Sequence, residues 1–182
     1  MFRCFLIFFF FILITNTNAE LKEKIIQNLK QTNNLNFKFE QNINGKIEIG
    51  NCTIEYPKKI FCEYARSSNK IIVSNGKSLV VKTRTSYYRY PIEKTPLNLI
   101  LDKNFIIDKI YELNERIVDN NLVNFTIDER DNKISIFFDK QTFELIGWQN
   151  TDIYQNFNIT FISSIRKNRV LEKNLFKLPS QN

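Results

Sequence analysis

NCTIEYPKKIFCEY (residues 51–64), KIIVSNGKSLVVKT (residues 70–83) and YYRYPIEKTPLNLIL (residues 87–101) decide the fold. In the first, Cys52 and Cys62 flank a turn at Pro57-Lys58 with nine residues between them. If Pro57 centres the turn, the two cysteines lie opposite each other, where facing Cα atoms stand ~4.5–5.5 Å apart, within disulfide range. The second stretch places Asn75-Gly76 between apolar runs, the signal of a type I′ hairpin. The third is a strand that stops at Pro91. It restarts after Thr95-Pro96, read as an N-cap with proline at the first helical position. Leu97, Ile100 and Leu101 then share one face of a short helix over residues 95–102.

Upstream, residues 1–19 read MFRCFLIFFFFILITNTNA. Arg3 supplies a positive start, residues 5–14 an apolar run too short to span a bilayer, and Ala19 a small residue at a cleavage site. The expectation is a cleaved secretory signal; an uncleaved anchor is the alternative. Cys4 leaves with the signal, and without Arg3 the remaining 25 basic and 19 acidic residues balance at +6. Leu21, Ile25, Ile26 and Leu29 then fall at helical spacing over residues 20–32, an amphipathic helix expected to pack on a sheet. From Leu35 the period becomes two: Leu35, Phe37 and Phe39, then Ile47 and Ile49, then Cys52, Ile54 and Tyr56.

Downstream, residues 122–127, 133–139, 143–151 and 158–164 alternate as consecutive antiparallel strands. Residues 104–115 fit helix or strand, and residues 171–176 a short terminal helix or turn. The sum is many short hairpin-ordered strands with two or three helices. Alternation gives such a sheet one apolar face, which the helices must cover.

The 182 residues suit one domain over residues 20–182. A hydrophobic fraction of 43% is too high for disorder. The absence of His removes the commonest general base and metal ligand, so Ser-His and Cys-His catalysis are excluded. The charge of +7 is carried by scattered cations such as Lys22, Lys38, Lys82 and Lys109, which reads as a solvated surface and not a nucleic-acid groove. Asp128, Glu129 and Asp131 cluster in DERDNK, which reads as a hairpin turn in preference to a paired-acid site. No phosphate loop or metal-ligand spacing occurs, so no cofactor and no metal are expected. Cys52 and Cys62 have too few partners for a metal and are too far apart for a C-x-x-C redox pair, which leaves a structural staple in an oxidising compartment. The composition describes a binder, not an enzyme.

The order of these motifs resembles a known family. FEQ at residues 39–41, Tyr56-Pro57, SNGKSLVV, RYPIEKTPLNLIL and LIGWQNTD follow one another as in the periplasmic outer-membrane lipoprotein carrier protein LolA, over about residues 21–178. The resemblance implies a mainly β (α+β) fold: an incomplete antiparallel β-barrel, a curled half-barrel sheet, with a short-helix lid. Its cavity would take acyl chains of lipoproteins, lined here by Phe37, Phe39, Ile47, Ile49, Ile54 and Tyr56, and further by Ile60, Tyr64, Leu79, Val81, Tyr88 and Tyr90. Leu97, Ile100 and Leu101 would belong to the lid. The implied partners are acylated lipoproteins, an inner-membrane releasing transporter and an outer-membrane acceptor, with the carrier a periplasmic monomer. The family's lid-holding arginine before the turn proline falls on Tyr56, whose hydroxyl can still donate one hydrogen bond. A lipid-binding or envelope-stress sensing domain on the same half-barrel is the alternative.

Overall fold

The computed structural model describes residues 17–65, 69–129, 132–151 and 156–181. The leader expected over residues 1–19 lies outside these except for its last three residues, and Asp131 also lies outside. Helix α1 (Thr17–Gln31) precedes six strands: β1 (Asn34–Ile43), β2 (Lys46–Glu55), β3 (Lys59–Tyr64), β4 (Ile71–Asn75), β5 (Ser78–Lys82) and β6 (Tyr87–Pro91). A 3-10 turn (Ile92–Lys94) and helices α2 (Leu97–Ile100) and α3 (Lys103–Glu112) follow. The chain then returns through β7 (Arg116–Val118), β8 (Leu122–Glu129), β9 (Asn132–Asp139), β10 (Leu145–Thr151) and β11 (Phe157–Lys167).

All strands join one antiparallel sheet in the order β6-β5-β4-β3-β2-β1-β11-β10-β9-β8-β7. Two meanders meet where β1 pairs β11, and the sheet curls without closing, leaving β6 and β7 as edges. The α2–α3 connection passes from one edge to the other across the concave side. That side is the core. Leu35, Phe37 and Phe39 of β1, Val123, Phe125 and Ile127 of β8, and Ile134, Ile136 and Phe138 of β9 are all buried there. Leu21, Ile25, Ile26 and Leu29 of α1 and Ile106, Ile107 and Ile110 of α3 pack against them. Each helix buries the face that its 3.6-residue period creates.

Local chemistry explains where elements stop. At the end of α1 the Thr32 hydroxyl donates to the Asn28 carbonyl, and Lys103 Nζ donates to the Thr32 carbonyl at 2.8 Å, a cation at the negative helix terminus. Asp102 caps α3 by accepting from the Phe105 N–H at 3.2 Å. Thr95 does not cap α2 as expected; its hydroxyl turns back to the Ile92 carbonyl at 2.8 Å and closes the 3-10 turn. The Asn75-Gly76 turn also differs from type I′. Gly76 alone takes positive φ, +93°, while Asn75 still pairs with Lys59 and its Oδ1 accepts from Lys77 and Ser78 N–H. Residues 104–115, open between helix and strand, form most of α3. The strand expected from residue 143 begins at Leu145, because Phe143 sits in a turn at φ +59°.

The convex face carries its own cover. Val73 and Val80 face away from the core yet are 1% and 0% exposed. The terminal segment after β11 lies over this side: Lys59 Nζ stands 5.8 Å from the Phe176 ring centroid, and Lys82 Nζ donates to the Ser180 carbonyl at 2.7 Å. Residues 173–176 are a turn.

Candidate functional site: the concave wall and its helical cover

Register fixes which side chains share the concave wall. Cys52 pairs Cys62, Ile54 pairs Ile60, and Gly50 pairs Tyr64 across β2 and β3. Phe37 stands opposite Cys52 and Phe39 opposite Gly50 across β1 and β2. These positions, with Leu79 and Trp148, form one apolar surface. The Cys52 and Cys62 Cα atoms are 4.1 Å apart with their sulfurs at bonding distance in the middle of the wall. Val81 is half-buried on the same face. Tyr88 and Tyr90 follow that parity on β6 but stand at the open rim, 53% and 42% exposed.

Ile47 and Ile49 do not join them. The β1–β2 register runs without a shift from Asn34↔Glu55 to Ile43↔Lys46, so odd-numbered β2 residues all point to the convex face. Ile47 is 60% exposed there. The inward residues are Glu48 and Gly50. A Cβ on Gly50 would meet the Glu63 carbonyl at 2.1 Å and the Phe39 ring at 2.7 Å, so the absent side chain is what lets Phe39 lie flat over β2. Phe39 and Tyr64 then meet edge to face at 4.8 Å.

Glu48 is 7% exposed on this wall, and sequence reasoning missed it. Lys70 Nζ reaches its carboxylate at 2.6 Å and Lys46 Nζ at 3.2 Å, compensating a charge that burial alone would penalise. Lys70 also lies 3.9 Å from the Tyr64 ring centroid. The Tyr64 hydroxyl donates to Gln41 Oε1 at 3.0 Å, and Gln41 Nε2 donates to Asn158 Oδ1 at 3.1 Å and Thr160 Oγ1 at 3.3 Å. Burial, and secondarily the Glu48 charge, push the Tyr64 hydroxyl well above its ordinary value, so it remains a neutral donor. The wall therefore has a polar row at the end away from the β2–β3 turn.

At the other end, three helices cover the wall. Ile100 and Leu101 are 1% and 0% exposed, and Leu97 and Leu99 pack beside them. The β2–β3 turn holds this cover by two ties. The Lys58 N–H donates to the Leu101 carbonyl at 2.9 Å, and Lys58 Nζ pairs with Asp102 Oδ2 at 3.2 Å. The Tyr56 hydroxyl, which could have donated one hydrogen bond to the cover, has no hydrogen-bond partner among the described residues; it is buried, and burial pushes its ionisation upward. The contacts are made by Lys58, the residue after Pro57, and not by Tyr56, the residue before it. Lys103, 5.7 Å from the Tyr56 ring centroid, has its pKa lowered by burial.

The arrangement is an apolar surface packed against a helical cover. Among the described residues, no three His, Cys, Asp or Glu side chains cluster as a metal site. Two surface grooves, one lined by Asn36, Thr53 and Phe61 and the other by Lys38, Glu40 and Phe161, lie on the convex face.

The sequence profile of the outer membrane lipoprotein carrier protein LolA matches residues 30–179. No protein of curated function matches the chain by sequence. Among solved structures, a LolA superfamily protein from Nitrosomonas europaea aligns at 10% identity over 90% of this chain and 99% of its own, with a TM-score of 0.46. An uncharacterized conserved protein from Thermus thermophilus aligns at 7% identity over 90% of this chain and 94% of its own, TM-score 0.52. MucB in the Pseudomonas aeruginosa MucA/MucB complex aligns at 8% identity over 89% of this chain and 61% of that chain, TM-score 0.50. At these identities the structural likenesses describe the fold.

Proposed function

The chain belongs to the LolA family, and from that premise we propose that it is a periplasmic carrier that holds lipoprotein acyl chains on its concave wall between the inner and outer membranes. Proteins of this superfamily carry or bind, and we infer the same here in place of catalysis. The observation that carries the reading is the apolar wall and its helical cover, which among the described residues is tied to the sheet by two partly exposed ion pairs, Lys58–Asp102 and Lys109–Glu129, and by the Lys58 N–H on the Leu101 carbonyl. A buried CH₂ contributes about 0.8 kcal/mol, so an acyl chain of about 14 methylenes offers roughly 11 kcal/mol. Lifting Leu97, Ile100 and Leu101 off the wall costs about 1.5–3 kcal/mol each, roughly 4.5–9 kcal/mol together. One acyl chain therefore contributes an amount comparable with what lifting the cover costs, so cargo and cover compete for the same wall and the protein closes again when empty. In this reading the cargo is received from a lipoprotein-releasing transporter and passed to an outer-membrane acceptor, with Cys52 and Cys62 joined as a staple in the wall.

A second reading, a lipid-binding or envelope-stress sensing domain, draws on the polar row of Gln41, Glu48, Tyr64 and Lys70, which suits a phospholipid head as well as a lipidated peptide. Mass spectrometry of ligands copurifying from the native envelope separates the two. Triacylated lipoprotein supports the carrier; free phospholipid alone supports the second reading and refutes the first.

A further inference from the structure

The edge of the sheet at β6 combines three features that the carrier reading leaves unused. Residues 77–94 hold five basic residues, Lys77, Lys82, Arg84, Arg89 and Lys94, against the single acid Glu93, a local balance of +4. Lys77, Arg84, Arg89 and Lys94 are exposed, and the Arg89 guanidinium meets a neutral group, Ser78 Oγ, at 3.1 Å. Tyr88 and Tyr90 stack at 6.5 Å and 15° on the same strand and are largely open to solvent. Their parity places them at the rim of the concave wall, opposite Val81 and Leu79. Arg84 lies in the β5–β6 turn, Lys94 in the 3-10 turn after β6 and Lys77 in the adjoining β4–β5 turn, while Arg89, opposite Val80, projects from the centre of β6 to the convex side, so the cations flank the tyrosines along about 17 Å of edge.

Charge and proline on an edge strand commonly serve only to prevent pairing with another strand. That role accounts for Arg89 and Pro91. It does not account for two exposed tyrosines, which add the apolar area that such protection avoids. Tyrosine is favoured where one end of a side chain is apolar and the other wet, as at a lipid–water boundary. Clustered cations beside it complement anionic headgroups. Because Pro91 and Arg89 disfavour an added strand, the features together select a surface over a peptide partner.

We propose that the β5–β6 edge docks the protein on an anionic lipid surface, with Arg84, Arg89, Lys77 and Lys94 against headgroup phosphates and Tyr88 and Tyr90 at the boundary. This goes beyond the carrier reading and places the rim of the concave wall, which the tyrosines form, next to the membrane from which an acyl chain must come.

The test is flotation of the purified protein with vesicles of phosphatidylcholine alone and with about one third phosphatidylglycerol. Binding is expected only to the anionic vesicles and is expected to fall as salt rises. R84Q/R89Q, which neutralises two exposed cations, lowers the apparent affinity about 30-fold, taking ~1 kcal/mol per cation. K38Q/K133Q removes the same charge elsewhere on the sheet and leaves binding unchanged; both positions are exposed. Y88A/Y90A weakens binding while keeping its salt dependence. Equal binding to neutral vesicles, equal loss in the K38Q/K133Q control, or binding of an acidic peptide but no vesicle at this edge overturns the proposal. Because the measurement reads vesicle association and not bound cargo, its outcome is independent of whether the concave wall carries lipoprotein.

Discussion

The Lys58–Asp102 pair should set how often the helical cover opens, and its size can be worked out from the structure. Nζ and Oδ2 are 3.2 Å apart, with side chains 31% and 27% exposed. Partial exposure screens the pair, so it contributes about 1 kcal/mol, above the median for surface pairs and far below a dry interior value. K58M removes the cation and keeps the aliphatic stem. D102N removes the charge but preserves the oxygen that accepts from the Phe105 N–H, whereas D102A would also remove the cap, costing about another 1 kcal/mol. A loss of about 1 kcal/mol multiplies the open fraction about fivefold. Amide hydrogen exchange reads this directly. Leu101, whose N–H donates to the Leu97 carbonyl, and Ile106, whose N–H donates to the Asp102 carbonyl, should exchange about fivefold faster in each single variant. The double variant should be no faster than either single, because both lose the same interaction. Amides of the Ile54↔Ile60 ladder should be unchanged. Additive effects in the double variant, or uniform acceleration across the sheet, would refute the idea that this pair clasps a separately opening element.

Four further outcomes follow from the same wall. Ionisation of Tyr56 and Tyr64 is pushed up by burial, so above about pH 10 the unfolded chain loses its phenol protons first; stability should fall by about 1.4 kcal/mol per pH unit for each tyrosine, with no such loss at lower pH, and urea titrations of Y56F and Y64F should each lose that share of the slope. Leu97→Glu or Ile100→Glu puts a charge where the cover meets the wall and should reduce lipoprotein retention in vesicle pull-downs while circular dichroism still reports the sheet; unchanged retention with native spectra would make α2 purely structural. Free-thiol labelling of the exported protein without reductant should find Cys52 and Cys62 unreactive, and reduction should cost about 3 kcal/mol; labelling of both would exclude the staple. Gly50→Ala should destabilise by about 1–3 kcal/mol or more, since its methyl group would press on the Glu63 carbonyl and the Phe39 ring, and a neutral result in denaturant titration would contradict the register of β2.

Hairpin content was legible because each turn announces itself locally. Pro57 flanked by equidistant cysteines determines the β2–β3 register with no knowledge of the rest of the sheet, and Cys52 does face Cys62. The β8 strand follows from alternation in the same way, whereas β9 is a short run buried on both faces from Ile134 to Phe138. Long-range features had no such signal. The pairing of β1 with β11 joins segments more than a hundred residues apart, and β7 is three residues long, too short to show a period. The Lys58–Asp102 tie depends on where a turn and a helix start meet, which no local spacing encodes.

The face of β2 shows why periodicity alone falls short of a binding site. Its apolar residues change parity, odd at Ile47 and Ile49 and even at Cys52 and Ile54, so an unbroken strand must expose one pair. Burying both pairs would require a bulge, and β2 has none against β1. The choice is made by the neighbours: Phe37 and Phe39 of β1 stand over Cys52 and Gly50, and only the even face has room for them. Once that face is inward, Glu48 is carried in with it. Its burial is tolerable because Lys46 from its own strand and Lys70 from the β3–β4 connection converge on it, a compensation that depends on the fold. A glycine opposite a phenylalanine was the usable signal in the sequence. It marks where a ring lies across the neighbouring strand, and hence which face of that strand is the interior. Applied to β10, the same reasoning gives the opposite face: Gly147 stands beside Phe137 and Phe161, which stack at 5.9 Å on the convex side. Glycine therefore locates an aromatic ring, and the parity of the paired strand decides whether that ring belongs to the core.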